Sequence, residues 1–248
     1  MWSEVTQKIR LVLVGTTHPG NIGASARAMK VMGLRRLYLV APQRFPNAEA
    51  TAMASGADDL LTGAKICETL EEALADCALV IGTSARQRSI AWPVLTPAAA
   101  AQEICAATLH GEVAVLFGRE HSGLSNAEVD LCQSMIEIPT SSDFRSLNLA
   151  AAVQLIAYEI RSAGLELNAE TVSNGDDPGD APPATANETT DLVRHLVETR
   201  TQVEFFDPRK PRRLPRRIRR LANRARLDHE EVQIVRGFLA AIQNKLKR

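Results

Sequence analysis

Aromatic residues make up only 4% of this 248-residue chain, and its four cysteines, Cys67, Cys77, Cys105 and Cys132, never stand closer than ten positions apart. That spacing excludes the paired motifs of zinc and redox sites, so no metal is expected and the thiols read as reduced core residues of a cytoplasmic protein. Long apolar runs are missing too. The best candidate, residues 8–15, is too short to span a bilayer and lacks a small-residue cleavage site, so neither a membrane partner nor an export signal is expected. Net charge is also absent, with 29 basic and 29 acidic residues, but the zero conceals a split. Residues 191–248 hold 16 Lys and Arg against 7 Asp and Glu, which leaves an equal acidic excess in residues 1–190. An acidic body with a basic tail points to a polyanionic partner.

What is present is a rhythm of short β-branched runs separated by helical stretches. Strands are expected at 9–14, 36–40, 78–82, 113–117 and 135–138, with a weaker one near 65–67. Helices are expected at 22–32, 70–75, 97–108, 126–133 and 146–163. This alternation predicts an α/β fold with a mostly parallel sheet covered on both faces. From 166 to 189 the chain turns rich in Gly, Pro, Asp, Asn and Thr, which reads as a flexible acidic linker. Beyond it, 191–206, 215–225 and 229–246 show helical spacing. The expected organisation is therefore a domain at 1–165, the linker at 166–189 and a basic helical region at 190–248. No internal repeat is evident.

The stretch 209–226 has ten Lys and Arg and no acid. Such a run repels itself unless a polyanion is near, and arginine suits bidentate phosphate contact. Arg209, Lys210, Arg212, Arg213, Arg216, Arg217, Arg219, Arg220 and Arg224 are the candidate nucleic-acid contacts.

Three segments carry candidate chemistry. The first, His18-Pro-Gly-Asn-Ile-Gly-Ala-Ser-Ala-Arg27, follows a strand and opens a helix, but its glycine spacing is not that of a dinucleotide-binding loop. The second is Phe117-Gly-Arg-Glu-His-Ser-Gly-Leu124, at the end of another strand, where open α/β sheets place ligands. The third, Arg145-Ser-Leu-Asn148, runs into an almost wholly apolar stretch that reads as a helix buried on most of its surface. Ser146 and Asn148 are ordinary helix caps when taken alone. A helix start also offers unpaired N–H groups to a ligand.

Asn21 with Arg27, Phe117-Gly-x-Glu120-x-x-Gly123-Leu124, and Ser146-Leu-Asn148 together resemble the three motifs of the SpoU branch of the SPOUT RNA methyltransferases, over about residues 8–163. The resemblance implies a SPOUT α/β-knot domain with a C-terminal trefoil knot, S-adenosylmethionine as cofactor and a site completed across a homodimer. It implies catalytic roles for Arg27, Asn21, Glu120, Ser146 and Asn148. The implied cofactor cradle is Thr83, Ser84, Ala85, Gly118, Ile138, Arg145, Ser146 and Leu147. Within the family, the linker and Arg-rich tail look most like tRNA 2′-O-methyltransferases acting at position 32 of the anticodon loop, so tRNA rather than DNA is the expected partner. The alternatives are another tRNA position, a ribosomal RNA, or a non-catalytic RNA-binding dimer.

Overall fold

A computed structural model describes residues 2–84, 92–170, 181–203 and 214–246. In chain order the elements are α1 (Trp2–Gln7), β1 (Ile9–Val14), α2 (Pro19–Met32), β2 (Arg36–Val40), α3 (Ala48–Ala54), α4 (Asp58–Thr62), β3 (Lys65–Cys67), α5 (Leu70–Leu74) and β4 (Cys77–Thr83). There follow β5 (Val94–Leu95), α6 (Pro97–Ala107), β6 (Glu112–Phe117), α7 (Asn126–Val129), β7 (Ser134–Ile136) and α8 (Leu149–Glu170). The C-terminal part holds α9 (Ala186–Gln202), α10 (Leu214–Ala225) and α11 (His229–Leu246).

The seven strands form one sheet in the order β3-β2-β1-β6-β4-β7-β5, and every pairing is parallel. Strands covered on both faces read as continuous apolar runs, and all six residues of β1 are buried. Ile9, Leu11 and Leu13 point into a core with α2, α3, α6 and α8. Val12 and Val14 point into a second core on the opposite face, with Leu70 and Leu74 of α5 and Val129 of α7. Arg10 also points that way. It is buried, donates to Ala73 O (2.7 Å) and to Glu112 (Nε to Oε2, 2.6 Å), and lies over the Tyr38 ring. The buried cation is thus paired rather than orphaned.

Gly23 shows why α2 carries a glycine in its middle. A Cβ there would stand 2.0 Å from Ala50 O of α3, so only glycine lets the two helices cross this closely. The residue belongs to helix packing, not to a phosphate-binding loop.

Two expectations need correction. The helix expected from Ser146 begins at Leu149, so Arg145 and Ser146 belong to the preceding loop rather than to its first turn. Nor is that helix buried all round in the single chain. Val153, Ile156, Ala157 and Ile160 face the core, whereas Leu155, Tyr158 and Leu165 are 43%, 54% and 52% exposed. Helix extends into both ends of the stretch read as a linker, since α8 continues to Glu170 and α9 begins at Ala186. All four cysteines are free and buried. Burial pushes the Cys77 thiol up to about 12 and the Cys105 thiol up to about 11, which leaves both inert at neutral pH. Among the described residues, no helix is long and apolar enough to cross a membrane.

Candidate active site

Because all strands run parallel, the C-terminal ends of β1, β4, β6 and β7 lie along one edge of the sheet, where ligands of open α/β sheets bind. A cavity of about 540 Å³ opens there. Thr83 and Ser84 after β4, Gly118 to Gly123 after β6, Ile136 and Ile138 around β7, and Arg145, Ser146 and Leu147 before α8 line it. The expected cradle residues therefore converge on one cavity. Ala85 lies outside the described residues.

The loop after β6 folds back on itself. Arg119 and Gly123 exchange two backbone hydrogen bonds, Gly123 takes a φ of 65°, and a Cβ on Gly118 would stand 2.2 Å from Leu124 N. Gly118 is thus required by the turn itself. Arg119 then lies across Gly15 at the end of β1, where a Cβ would meet its Nε at 2.7 Å, and its Nη1 donates to both Glu128 oxygens at 3.0 Å.

Glu120 sits at the centre of the constellation. Its Oε2 accepts from Thr17 N (3.1 Å) and Thr17 Oγ1 (2.9 Å), and its Oε1 accepts from His18 N (3.2 Å) and Asn21 Nδ2 (3.0 Å). Asn21 Oδ1 in turn accepts from Asn148 Nδ2 at 2.9 Å. The Oδ1 of Asn148 accepts from Ala150 N (2.9 Å) and Ala151 N (3.3 Å), so it caps α8 while its other end fixes Asn21. One relay of side chains welds three loops that lie far apart in sequence. Thr17, which no motif flagged, is part of this frame, as are His18 and Arg119, which lie within the candidate segments but were given no role of their own. Partial burial alone would raise the Glu120 pKa, but the hydrogen bond from Asn21 and those from backbone amides outweigh it and hold the group at about 2.

The sign of that shift fixes a pH expectation. A carboxylate depressed from 4.5 to about 2 contributes its hold fully above pH 4.5 and loses it as pH falls through about 2. Any activity of this site should therefore show no acidic limb from Glu120 at a pH above about 4.5. Glu120→Gln replaces one acceptor oxygen by an NH2 that faces donors. It should slow the reaction carried out at this site by about tenfold to a hundredfold, as a misplaced Asn21 would; a pH–rate series on parent and variant checks both.

Arg27 lies six residues beyond Asn21 on α2. It is exposed, and its guanidinium has no hydrogen-bond or ion-pair partner among the described residues. Asn21, Arg27 and Asn148 lie outside the cavity lining; Ser146 lies within it and is exposed.

The basic helix divides. Arg216 forms a two-pronged ion pair with Asp130, Nε to Oδ2 at 2.6 Å and Nη2 to Oδ1 at 2.8 Å. Asn223 Nδ2 donates to Asp130 O and Cys132 O, and the guanidinium groups of Arg216 and Arg220 lie 6.0 and 5.8 Å from the Trp92 ring centre. Arg219 donates to Thr190 Oγ1 at 3.3 Å. This face of α10 docks on the α/β body, so Arg216, expected to meet nucleic acid, instead neutralises Asp130. Arg217 and Arg224 remain exposed. Arg209, Lys210, Arg212 and Arg213 lie outside the described residues.

Comparison with known proteins decides the family. Residues 8–158 match the SpoU rRNA Methylase family, and residues 187–248 match the tRNA methyltransferase TrmJ, C-terminal domain. The chain belongs to the TrmJ branch of the SpoU methylase family. A TrmJ from Pseudomonas aeruginosa, a tRNA (cytidine/uridine/adenosine-2′-O-)-methyltransferase, is 46% identical over 246 residues, 95% of this chain and 94% of its own length. A Klebsiella pneumoniae TrmJ, a tRNA (cytidine/uridine-2′-O-)-methyltransferase, is 43% identical over 97% of this chain and 98% of its own. The crystal structure of TrmJ from Z. mobilis ZM4 superposes with a TM-score of 0.81 at 36% identity, covering 94% of this chain and 98% of that one. The TrmJ assignment makes the chain an enzyme of the methyltransferase class, and the SPOUT expectation for the fold stands.

Proposed function

We propose that this TrmJ-branch enzyme methylates the ribose 2′-oxygen of cytidine or uridine at position 32 in the tRNA anticodon loop. The observation that carries the reading is the Glu120–Asn21–Asn148 relay, which joins the three motif segments at the cavity that Glu120 lines, with Arg27 exposed further along α2.

S-adenosylmethionine is the methyl donor. The cavity fits it on two counts. Its volume lies in the range of small-molecule sites. Its lining pairs apolar walls, Phe117, Ile136, Ile138 and Leu149, with polar groups at Thr83, Ser84 and Ser146. When bound, the cofactor supplies a methyl group on a sulfonium, which needs little further activation. The protein's task is then to align the ribose oxygen and to stabilise it as its proton passes to solvent water. Arg27 acts as a positive charge that stabilises the 2′-oxygen rather than as a base. Asn21 and Asn148 orient the ribose, Ser146 closes the cavity wall, and Glu120 holds Asn21 and the Thr17–His18 loop that precedes α2.

A second copy of the chain completes the site in this reading. Leu155, Tyr158 and Leu165 of α8 and Phe144, at 75% exposure, are the exposed apolar side chains such a copy would cover. The enzyme works in the cytoplasm, where its substrate is. The base range is open to chemistry: contact with the sugar need not read the base edge, in keeping with relatives whose names differ by adenosine.

The test is methyl incorporation from labelled S-adenosylmethionine into purified tRNA, followed by nucleoside digestion and mapping. Label recovered as a 2′-O-methyl pyrimidine at position 32 supports the reading. Label on a base, at another position, or only in ribosomal RNA overturns it.

A further inference from the structure

Helix α11 is apolar on two sides, and the fold uses only one. Val232, Val235 and Leu239 pack inward with Leu192, Leu196 and Ala184. On the opposite side Ile234 and Phe238 stand 71% and 67% exposed, one turn apart, and the exposed Ala241 shares that side by its spacing. Gly237 lies among them. A Cβ at Gly237 would meet nothing within 4 Å, and its φ is not positive, so neither packing nor backbone conformation calls for glycine in the middle of this helix. Glycine weakens a helix interior, and a site where the fold gives no reason for it is one where something outside approaches closely. Lys245 extends the same side, seven residues or roughly 10 Å along the axis from Phe238.

We propose that this strip is a stacking platform for an unpaired nucleobase of the RNA substrate. Phe238 takes the face of the base, Gly237 lets the ribose approach the helix backbone, and Lys245 stands near the adjoining phosphate. The inference rests on the tRNA reading above. The charge of the surrounding segment selects the occupant: with 16 basic against 7 acidic residues in 191–248, a second copy of this segment meets like charge, whereas RNA meets its opposite. An aromatic face in a segment of net positive charge is a combination that holds single-stranded nucleic acid, and recognition of RNA concentrates on loops whose bases are unstacked.

The test uses the full-length protein with Phe238→Ala, Phe238→Trp and Gly237→Ala, reading tRNA affinity by filter binding across a salt series. Phe238→Ala should weaken binding roughly fivefold to a hundredfold with an unchanged salt slope, and Phe238→Trp should retain it. Gly237→Ala should raise the melting temperature while weakening binding, a pairing that a merely structural glycine would not give. Parent-like affinity of Phe238→Ala overturns the platform and leaves the tRNA reading intact. Loss of self-association by Phe238→Ala in light scattering overturns it in favour of an interface between copies. Failure of the parent itself to bind tRNA removes the substrate reading as well.

Discussion

Arg27→Ala is expected to lower single-turnover methyl transfer by about a hundredfold to a thousandfold while leaving S-adenosylmethionine binding within about twofold of the parent. The separation follows from the geometry. Arg27 does not line the cavity, makes no hydrogen bond or ion pair within the described residues and is exposed on α2, so its removal disturbs neither cradle nor core. A charge that acts only as the 2′-oxygen loses its proton contributes to the transition state and not to cofactor affinity. Calorimetry on the variant, beside the rate, checks the pair of outcomes. An equal fall in cofactor affinity would give Arg27 a structural role instead.

Removal of everything after Thr189 is expected to weaken tRNA binding by more than about tenfold and to flatten its salt dependence. Every phosphate that the protein no longer neutralises lowers the slope of log affinity against log salt by roughly 0.7 to 0.9. Residues 1–190 are acidic overall, so the isolated body should repel the polyanion that the tail attracts. The described part of the tail adds detail, because Arg216 already neutralises Asp130 and contributes little to that slope, whereas the exposed Arg217 and Arg224 are placed to contribute. Filter binding at several salt concentrations checks this. An unchanged slope would place the RNA contacts on the α/β body.

The strands that frame the site were legible because burial on both faces writes them as unbroken apolar runs; β1, β2 and β3 fall on the expected residues. Helices α3 and α4 were not, since Ala48–Ala54 and Asp58–Thr62 are short and carry too few large apolar residues for a period to show. The two-residue β5 is below any pattern. The insertion of β6 between β1 and β4 is a property of topology that no local signal encodes. At the site, residue types and their order were readable, but their joining was not. Asn148 bonds Asn21 across 127 positions and Asn21 bonds Glu120 across 99, and spacing in sequence carries no trace of either. The start of α8 was misread for a related reason: Ser146 has the character of a cap, yet Asn148 holds the free amides. Its capping and its grip on Asn21 use different atoms of one side chain, so the ordinary and the functional reading are both true of it.

The most direct measurement is methyl transfer to a tRNA carrying a single 2′-deoxy substitution at residue 32. With the ribose oxygen removed and the rest of the loop unchanged, tRNA binding should persist and methyl incorporation should fall to background. Incorporation at the level of the unmodified tRNA would contradict the assignment of that oxygen as the acceptor.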